Sequence, residues 1–161
     1  MRSNDNEMGR STIPMPGETS EGSTAKLRVL IVEDDFASRR LLQKIFTPLA
    51  EVHVSVDGCE AVTAFEDALS TDQPYHLVCL DIMLPKLDGQ DVLKEIRRLE
   101  SQRGVLSTQG AKVIMVTALK DMKNVMSAYN SLCDGYVAKP ITRAGLNQTM
   151  VNLGLPSICP T

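Results

Sequence analysis

The chain has 161 residues, of which 43% are hydrophobic and 23% are charged, and its formal net charge is −3. This length predicts one globular domain with a substantial core, and the acidic balance argues against nucleic acid or an anionic membrane as the main partner. No apolar run approaches the roughly 18 residues of a membrane-spanning helix, and the first residues lack the apolar segment of a secretory signal.

The two ends of the chain differ in composition from its middle. Residues 1–25 are polar and without apolar periodicity, so they cannot bury enough surface to offset the entropy of ordering, and we expect a disordered tail. The ordered domain is predicted over 26–155, and 156–161 form a short C-terminal tail. Because so little chain follows residue 155, we expect no output domain there.

The cysteines neither form a CxxC pair nor join histidines at zinc spacing. We therefore expect reduced thiols and a cytoplasmic location. The cysteines are Cys59, Cys79, Cys133 and Cys159.

From Leu27 onward, short apolar runs alternate five times with segments of helical periodicity. The first run, LRVLIV, is apolar almost throughout, which is typical of a strand covered on both faces. Such alternation predicts an α/β fold in which helices cover both faces of a parallel sheet. The predicted strands are 27–32, 52–56, 77–80, 112–116 and 135–138, and the predicted helices are 36–49, 57–69, 88–100, 121–132 and 142–153.

Reactive side chains follow four of the five predicted strands. Glu33 and Asp34 follow the first strand, Asp81 the third, Thr117 the fourth and Lys139 the fifth. Functional groups in such folds gather at the carboxyl ends of the strands, so we expect one site that combines these residues. Each of them alone would more often be an ordinary surface or capping residue, but their joint placement is hard to obtain by accident.

Four other acids receive simpler interpretations. Asp35 is expected to face solvent, and Asp57, Asp88 and Asp121 are predicted to cap helices.

Clustered carboxylates repel one another, and one of them would protonate unless a cation is present. Oxygen ligands without nitrogen or sulfur favour a hard ion, with Mg²⁺ as the first choice and Mn²⁺ as the alternative. A divalent ion, Lys139 and the Thr117 hydroxyl around Asp81 are what phosphoryl transfer requires, and an aspartate can take the group covalently.

The segments VLIVEDD, LVCLDIMLPKLDG, VIMVTA and GYVAKP, in this order and spacing, resemble the receiver domain of two-component response regulators. The resemblance covers about 26–155, nearly all of the predicted ordered chain. It implies a flavodoxin-like, doubly wound (βα)5 sandwich with a five-stranded parallel sheet of order 2-1-3-4-5. Without an output domain, it implies a stand-alone receiver of the chemotaxis type.

The resemblance also implies a role for each residue of the predicted site. Asp81 would accept a phosphoryl group from a histidine-kinase phosphohistidine. Asp34 and Asp81 would bind Mg²⁺ directly, with the Met83 backbone carbonyl as third ligand and Glu33 acting through water. The groups that would hold the phosphoryl oxygens are Thr117, the Ala118 backbone N–H and Lys139, whose bond to Pro140 is expected to be cis.

In this family phosphorylation shifts a conformational equilibrium. Thr117 would move toward the phosphoryl group and Tyr136 would turn inward, which changes the face formed by the fourth helix, the fifth strand and the last helix. We expect a downstream protein to bind this face. The fourth helix carries a methionine-rich stripe that is expected mainly to pack in the core, with a partner surface as its second possible role. The stripe consists of Met122, Val125, Met126 and Tyr129.

The partners that the resemblance implies are a sensor histidine kinase or a phosphotransfer protein, and a downstream protein target. We expect neither direct DNA binding nor membrane association, and a monomer or a weak dimer.

Two apolar residues flank the path of a water that would attack the phosphorylated aspartate. Met83 lies two residues after Asp81, and Leu119 lies two residues after Thr117. Neither side chain can position water by hydrogen bonding, so we expect phospho-Asp81 to lose its phosphate slowly. The loop 101–110 is longer than such connections usually are, and we interpret it as a subfamily feature or a partner contact.

Other functions fit less well. A haloacid dehalogenase-type phosphatase needs a second carboxylate two residues after the first, where this chain has Met83. A flavodoxin-like FMN carrier needs a phosphate-binding loop where Glu33 and Asp34 would repel phosphate. The chain is thus expected to be a phospho-acceptor and not an enzyme. A phosphorelay intermediate and a phosphorylation-independent interaction module remain the alternatives.

Overall fold

The computed structural model of the protein describes residues 25–118, 120–123, 126 and 132–159. In this part of the chain a five-stranded parallel sheet has the order β2-β1-β3-β4-β5, which confirms the predicted fold and strand order. None of the described helices has the length and apolarity of a membrane span. The strands are β1 Leu27–Val32, β2 Ala50–Ser55, β3 Leu77–Asp81, β4 Lys112–Ala118 and β5 Gly135–Lys139. The helices are α1 Phe36–Phe46, α2 Gly58–Ser70, α3 Gly89–Gln102 and α4 Arg143–Asn152, and residues 120–123 are also helical.

The core consists of two apolar layers, one on each face of the sheet, because successive strand side chains point to opposite faces. On one face, residues such as Leu30 and Met115 pack against α2 and α3. On the other, Val29 and Ile114 pack against α1 and α4. The inner strands are therefore covered on both sides, as their continuous apolar runs predicted.

Side-chain oxygens cap the four labelled helices at their first turns, where backbone N–H groups lack partners within the helix. The predicted caps Asp57 and Asp88 are confirmed. Asp35 is exposed, as predicted, and in addition caps α1. The capping bonds run from Ser38 N to Asp35 (2.8 Å), Glu60 N to Asp57 (2.8 Å), Gln90 N to Asp88 (2.9 Å) and Gly145 N to Thr142 (3.1 Å).

Several predicted boundaries differ from the structure. Helix α1 ends at Phe46, three residues before the predicted end. Thr47 still has helical dihedral angles, but Pro48 has no backbone N–H with which to continue the helical hydrogen bonds. Helix α3 continues to Gln102, so the long loop begins at Arg103. Residue 120 is already helical, so Asp121 lies inside the first described turn and its predicted capping role is wrong.

The C-terminal segment packs on the domain beyond the predicted boundary at 155. Ile158 is buried in the core layer beside α1 and α4. Its carbonyl accepts a hydrogen bond from Arg143 at 2.7 Å, and its backbone N–H donates to the Asn147 side chain at 2.8 Å. Of the predicted N-terminal tail, residues 1–24 lie outside the described residues.

Candidate functional site

The register of the sheet brings the predicted site residues to one edge. Val32 of β1 pairs with Leu80 of β3, so the acids that follow both strands emerge side by side. Asp81 pairs with Val116, and Ala118 pairs with Lys139. The carboxyl ends of β4 and β5 therefore lie beside the end of β3. The carboxyl ends of four strands therefore meet, as expected for this type of fold.

Lys139 joins the acids of β1 and β3 across this edge. Its Nζ lies 3.0 Å from Asp81 Oδ2 and 3.0 Å from Glu33 Oε2. Burial lowers the pKa of Lys139, but its hydrogen bonds to Glu33 and Asp81 outweigh burial and the net shift is upward. The lysine is thus held as a cation between two carboxylates.

Glu33 is completely buried, which is unusual for a glutamate. One carboxylate oxygen accepts a hydrogen bond from the Asp35 backbone N–H at 3.1 Å. Burial raises the pKa of Glu33 to about 7, and the neighbouring Asp81 adds to this shift, while Lys139 opposes it. Below neutral pH, Glu33 therefore tends to carry a proton.

Glu33, Asp34 and Asp81 form an acid cluster in which one oxygen from each residue lies within 4.8 Å of the others. Asp34 is exposed, so the cluster is open to solvent on one side. Arg39 donates to the backbone carbonyls of Glu33 and Asp34, at 3.1 and 3.0 Å, and so fixes the backbone but leaves the carboxylates uncovered.

The donor set of the acid cluster fits Mg²⁺. All its ligand atoms are carboxylate oxygens, which hard divalent ions prefer. Three carboxylates face one ammonium group, Lys139, so negative charge is in excess. The pKa of Glu33 is raised mainly by burial, and the neighbouring Asp81 adds to the shift, so the cluster takes up a proton more readily than an exposed glutamate would.

The loop after Asp81 folds back tightly against the strand end. The Met83 backbone N–H donates to Asp81 Oδ1 at 3.1 Å, and the Gly89 N–H donates to the Ile82 carbonyl at 2.8 Å. A Cβ atom on Gly89 would lie 2.1 Å from the Asp81 carbonyl oxygen, so this position requires glycine. The Met83 side chain is 72% exposed and points away from the core.

The far end of this loop is fastened to α2. Lys86 has a left-handed backbone, with φ of 68°, and its Nζ lies 2.8 Å from Asp57 Oδ2. This hydrogen bond holds the pKa of Asp57 below its usual range. Gly58 N donates to the Pro85 carbonyl at 3.3 Å, and a Cβ on Gly58 would overlap the Leu87 carbonyl. Sequence reasoning assigned Asp57 only a capping role, and no local pattern connects it with Lys86.

The predicted hydroxyl and switch residues lie on β4 and β5. Thr117 is buried and pairs with Ala138, two residues along β5 from Tyr136. The Tyr136 ring packs against the α2–α3 layer with its hydroxyl enclosed, and burial raises the pKa of that hydroxyl. The Lys139–Pro140 bond is cis, as the resemblance implied.

Some predicted residues lie where the structure does not describe the chain. In the predicted methionine-rich stripe, Met126 is 45% exposed, whereas Val125 and Tyr129 lie outside the described residues. The same holds for Leu119.

A doubly wound sheet with an acid cluster, a lysine and a buried threonine at its carboxyl edge is the arrangement that the resemblance to receiver domains implied. Residues 29–151 match the family model of the response regulator receiver domain, and the chain belongs to this family. A probable transcriptional regulator, ycf27 of Cyanophora paradoxa, is 36% identical over 118 residues, which are 73% of this chain and 44% of that protein. The chain thus spans less than half the length of this curated relative.

Solved structures show the same similarity. The receiver domain of the sensor histidine kinase PA1611 from Pseudomonas aeruginosa, with magnesium coordinated in its active-site cleft, is 28% identical, with a TM-score of 0.63. The match covers 81% of this chain and 99% of that one. The co-crystal structure of the Saccharomyces cerevisiae phosphotransfer protein Ypd1 with the receiver domain of Ssk1 is a second match. The matched chain is 27% identical to this one, with a TM-score of 0.66. That match covers 80% of this chain and 89% of the other.

Proposed function

We propose that this receiver accepts a phosphoryl group on Asp81 in a Mg²⁺-dependent reaction, and that it is a phospho-acceptor and not an enzyme. The observation that carries the proposal is the setting of the Asp81 carboxylate. It lies at a strand end, with one oxygen 3.0 Å from Lys139 Nζ and the other 3.1 Å from Met83 N. It is also part of the acid cluster, which has room for a divalent cation on its open side.

In the proposed reaction, an Asp81 oxygen attacks the phosphorus of a phosphohistidine. The new O–P bond forms as the P–N bond breaks, and the leaving imidazole takes a proton from solvent. Asp34, Asp81 and the Met83 carbonyl would hold Mg²⁺, with Glu33 acting through water. Bound Mg²⁺ supplies positive charge that offsets the negative charge of the phosphoryl oxygens.

The remaining residues would stabilise the product. Lys139 already contacts Asp81, so its ammonium group can pair with a phosphoryl oxygen after transfer. Thr117 and the Ala118 backbone N–H, at the end of the adjacent strand β4, would donate hydrogen bonds to the other oxygens. Movement of Thr117 would be coupled to Tyr136 on the same face, which gives phosphorylation a route to the protein surface.

Incubation with acetyl phosphate and Mg²⁺, followed by intact-mass measurement, tests this function. We expect a mass gain of one phosphoryl group that requires Mg²⁺ and disappears in Asp81→Asn. Asp72→Asn is the matched control, because Asp72 is an exposed loop aspartate outside the acid cluster, and its left-handed backbone also suits asparagine. No mass gain in the wild-type chain, or a gain that survives Asp81→Asn, would overturn the proposal.

For the partners, we propose a sensor histidine kinase or a phosphotransfer protein as donor, and a downstream protein as target of the face around Tyr136 and α4. A cytoplasmic location accompanies this function. A relay role is the second candidate, because a similar receiver has been crystallised with a phosphotransfer protein. Back-transfer of the phosphoryl group to a purified phosphotransfer histidine within seconds would favour relay, and phosphorylation-dependent capture of a target without back-transfer would favour direct output.

A further inference from the structure

Three consecutive acids follow β1, and each lies in a different environment. Glu33 is completely buried, Asp34 is exposed on the open side of the acid cluster, and Asp35 accepts a hydrogen bond from the first turn of α1. These three residues alone join β1 to α1, and their like charges repel one another. Contacts from outside the segment are therefore needed to hold the three carboxylates in their different directions.

Arg39, the fourth residue of α1, supplies such a contact. Side chains on a helix lean toward its amino end, so Arg39 reaches back to the segment that precedes the helix. Its Nη1 atom lies 3.1 Å from the Glu33 carbonyl oxygen and 3.0 Å from the Asp34 carbonyl oxygen. Because Nη1 carries two hydrogens, this one atom can donate to both carbonyls.

The two hydrogen bonds restrain the backbone on both sides of Asp34. The Glu33 carbonyl belongs to the planar peptide group before Asp34, and the Asp34 carbonyl belongs to the one after it. When both planes are held, the backbone dihedral angles of Asp34 are fixed, and with them the direction in which its side chain leaves the backbone. The second plane is held at its other end as well, because the Asp35 N–H donates to Glu33 Oε1 at 3.1 Å.

Packing provides less restraint for Asp34 than for the other two acids of the cluster. Glu33 and Asp81 are buried, and Lys139 Nζ lies 3.0 Å from a carboxylate oxygen of each. Asp34 is exposed. It is thus the member of the acid cluster whose position depends most on its backbone.

The Arg39 guanidinium is itself held in place. Arg39 is half-buried, and its guanidinium carbon lies 5.6 Å from the centroid of the Phe36 ring. At this distance a cation and an aromatic face attract each other. The Phe36 side chain is 67% exposed, so this contact accounts for a large apolar ring that the core does not use. A guanidinium ordered in this way loses little further freedom when it donates to the two carbonyls.

We propose that Arg39 is a positioning residue for the Mg²⁺ site: by holding the carbonyls of Glu33 and Asp34, it orients the Asp34 carboxylate toward the acid cluster. The inference rests on the proposed function, in which Asp34 is a ligand of Mg²⁺. Arg39 acts through the backbone and does not bind the metal, because a guanidinium has no acceptor for a cation.

The direction of the effect separates positioning from charge. If Arg39 acted only as a nearby positive charge, it would repel Mg²⁺, and its removal would raise the affinity for the ion. If it positions Asp34, its removal lowers the affinity. We expect Arg39→Met, which keeps an unbranched side chain, to lower Mg²⁺ affinity by about tenfold, the lower end of the loss that follows when a group that orients a metal ligand is removed.

Two further variants serve as controls. Arg39→Lys keeps the charge but not the forked donor, and it should lower Mg²⁺ affinity by about three- to fivefold. Arg40→Met removes the same charge from the exposed neighbouring residue, and its affinity should stay within about twofold of wild type. A Mg²⁺ titration at pH 8, followed by the amide shifts of residues 81–83 in nitrogen–proton correlation spectra, measures the affinity of each variant.

A second measurement needs no metal. In the metal-free protein, the Asp35 amide hydrogen should exchange with solvent faster in Arg39→Met than in wild type or in Arg40→Met, because the peptide plane that carries it has lost one anchor. A structural role alone would lower the urea midpoint and leave the Mg²⁺ affinity of the folded protein unchanged.

The proposal is overturned if Arg39→Met binds Mg²⁺ as tightly as wild type or more tightly, if Arg40→Met weakens binding as much as Arg39→Met does, or if exchange of the Asp35 amide is unchanged. Wild-type protein that binds no Mg²⁺ would overturn the proposed function together with this inference. Wild-type protein that binds Mg²⁺, with Arg39→Met unaffected, would overturn this inference alone.

Discussion

The two ends of the sheet hold buried charge in different ways. At the amino ends, the Arg97 side chain is 14% exposed and lies 2.8 Å from both Glu100 and Asp134. It also donates to the carbonyls of Leu132 and Ala111, at 2.8 and 2.9 Å. We call Arg97, Glu100 and Asp134 the arginine network.

The arginine network is saturated, whereas the acid cluster is not. Glu100 and Asp134 also accept backbone N–H groups, from Ala111 and Val113, and Lys112 supplies a second cation at 3.7 Å from Asp134. Two acids thus face two cations. In the acid cluster three carboxylates face one contacting lysine. Buried charge is stable where every group has a partner, and it favours cation binding where negative charge remains in excess.

The largest predicted effect is the loss of stability when the arginine network is broken. Arg97→Met leaves the buried Glu100 and the partly buried Asp134 without their main cation, and we expect the free energy of unfolding to fall by about 3–5 kcal/mol. Urea denaturation followed by circular dichroism measures this change. Mg²⁺ affinity should stay within about twofold of wild type, because the acid cluster lies at the other end of the sheet.

Arg98→Met is the matched control for this variant. Arg98 pairs with Glu95 on the exposed face of α3, so its loss should leave the urea midpoint unchanged. If Arg97→Met denatured at the wild-type midpoint, the arginine network would have no structural role and the comparison between the two ends would fail.

At the acid cluster, we predict that the affinity for Mg²⁺ depends on pH. The pKa of Glu33 is raised from 4.5 to about 7 by burial and by Asp81, so protons compete with the cation below neutrality. Affinity should rise about tenfold between pH 6 and pH 8 and level off above that, as one competing proton requires. Titration calorimetry at both pH values measures this change.

The sign of the linked stability effect follows from the same pKa. Because the folded pKa of Glu33 lies above the unfolded value, the metal-free protein should lose stability as pH rises from about 4.5 through about 7. Saturating Mg²⁺ should reduce this loss. Glu33→Gln should abolish most of the pH dependence of Mg²⁺ affinity, and equal wild-type affinity at pH 6 and pH 8 would contradict the assignment.

Much of the acid cluster could be predicted from sequence because it depends on regular features. Continuous apolar runs predict parallel strands, and the acids that end those runs must meet at one edge. Asp34, Asp81 and Lys139 were found in this way. Sequence reasoning predicted that one carboxylate of the cluster would take up a proton, but not that Glu33 is the one, because this depends on how completely the fold encloses each side chain.

The long-range ion pairs had no sequence signal. Arg97 and Asp134 lie 37 residues apart, and Asp57 and Lys86 lie 29 apart, with no periodic pattern connecting either pair. The loop after α3 was noticed only for its length. Its path depends on where Arg103 anchors it, by hydrogen bonds to the Leu69 carbonyl and Ser70 hydroxyl.

A smaller effect concerns water near the acid cluster. The Met83 side chain is 72% exposed beside Asp81 and offers no hydrogen bond to an attacking water. We predict that phospho-Asp81 persists for minutes or longer, and that Met83→Gln shortens its lifetime by about two- to tenfold, the effect of one positioned hydrogen bond. Quantitative mass spectrometry after removal of acetyl phosphate measures the decay. A wild-type lifetime of seconds would contradict the prediction, and Met83→Leu serves as the apolar control.

The smallest predicted effect tests whether the ion pair between the exposed Lys86 and the largely buried Asp57 supports the loop beside the acid cluster. Lys86 is 65% exposed, so its bond to Asp57 contributes little to global stability, yet it closes the loop that carries Met83. We expect Lys86→Met to lower Mg²⁺ affinity by less than about fivefold and to speed amide hydrogen exchange in residues 82–88, with the urea midpoint unchanged. Lys94→Met, which breaks a pair with the more exposed Asp91 on α3, should alter neither Mg²⁺ affinity nor loop exchange. Faster exchange without a change in affinity would show that the Met83 carbonyl needs no such support. A change in neither would mean that the left-handed turn at Lys86 and the close contact of Gly58 with Leu87 already hold the loop.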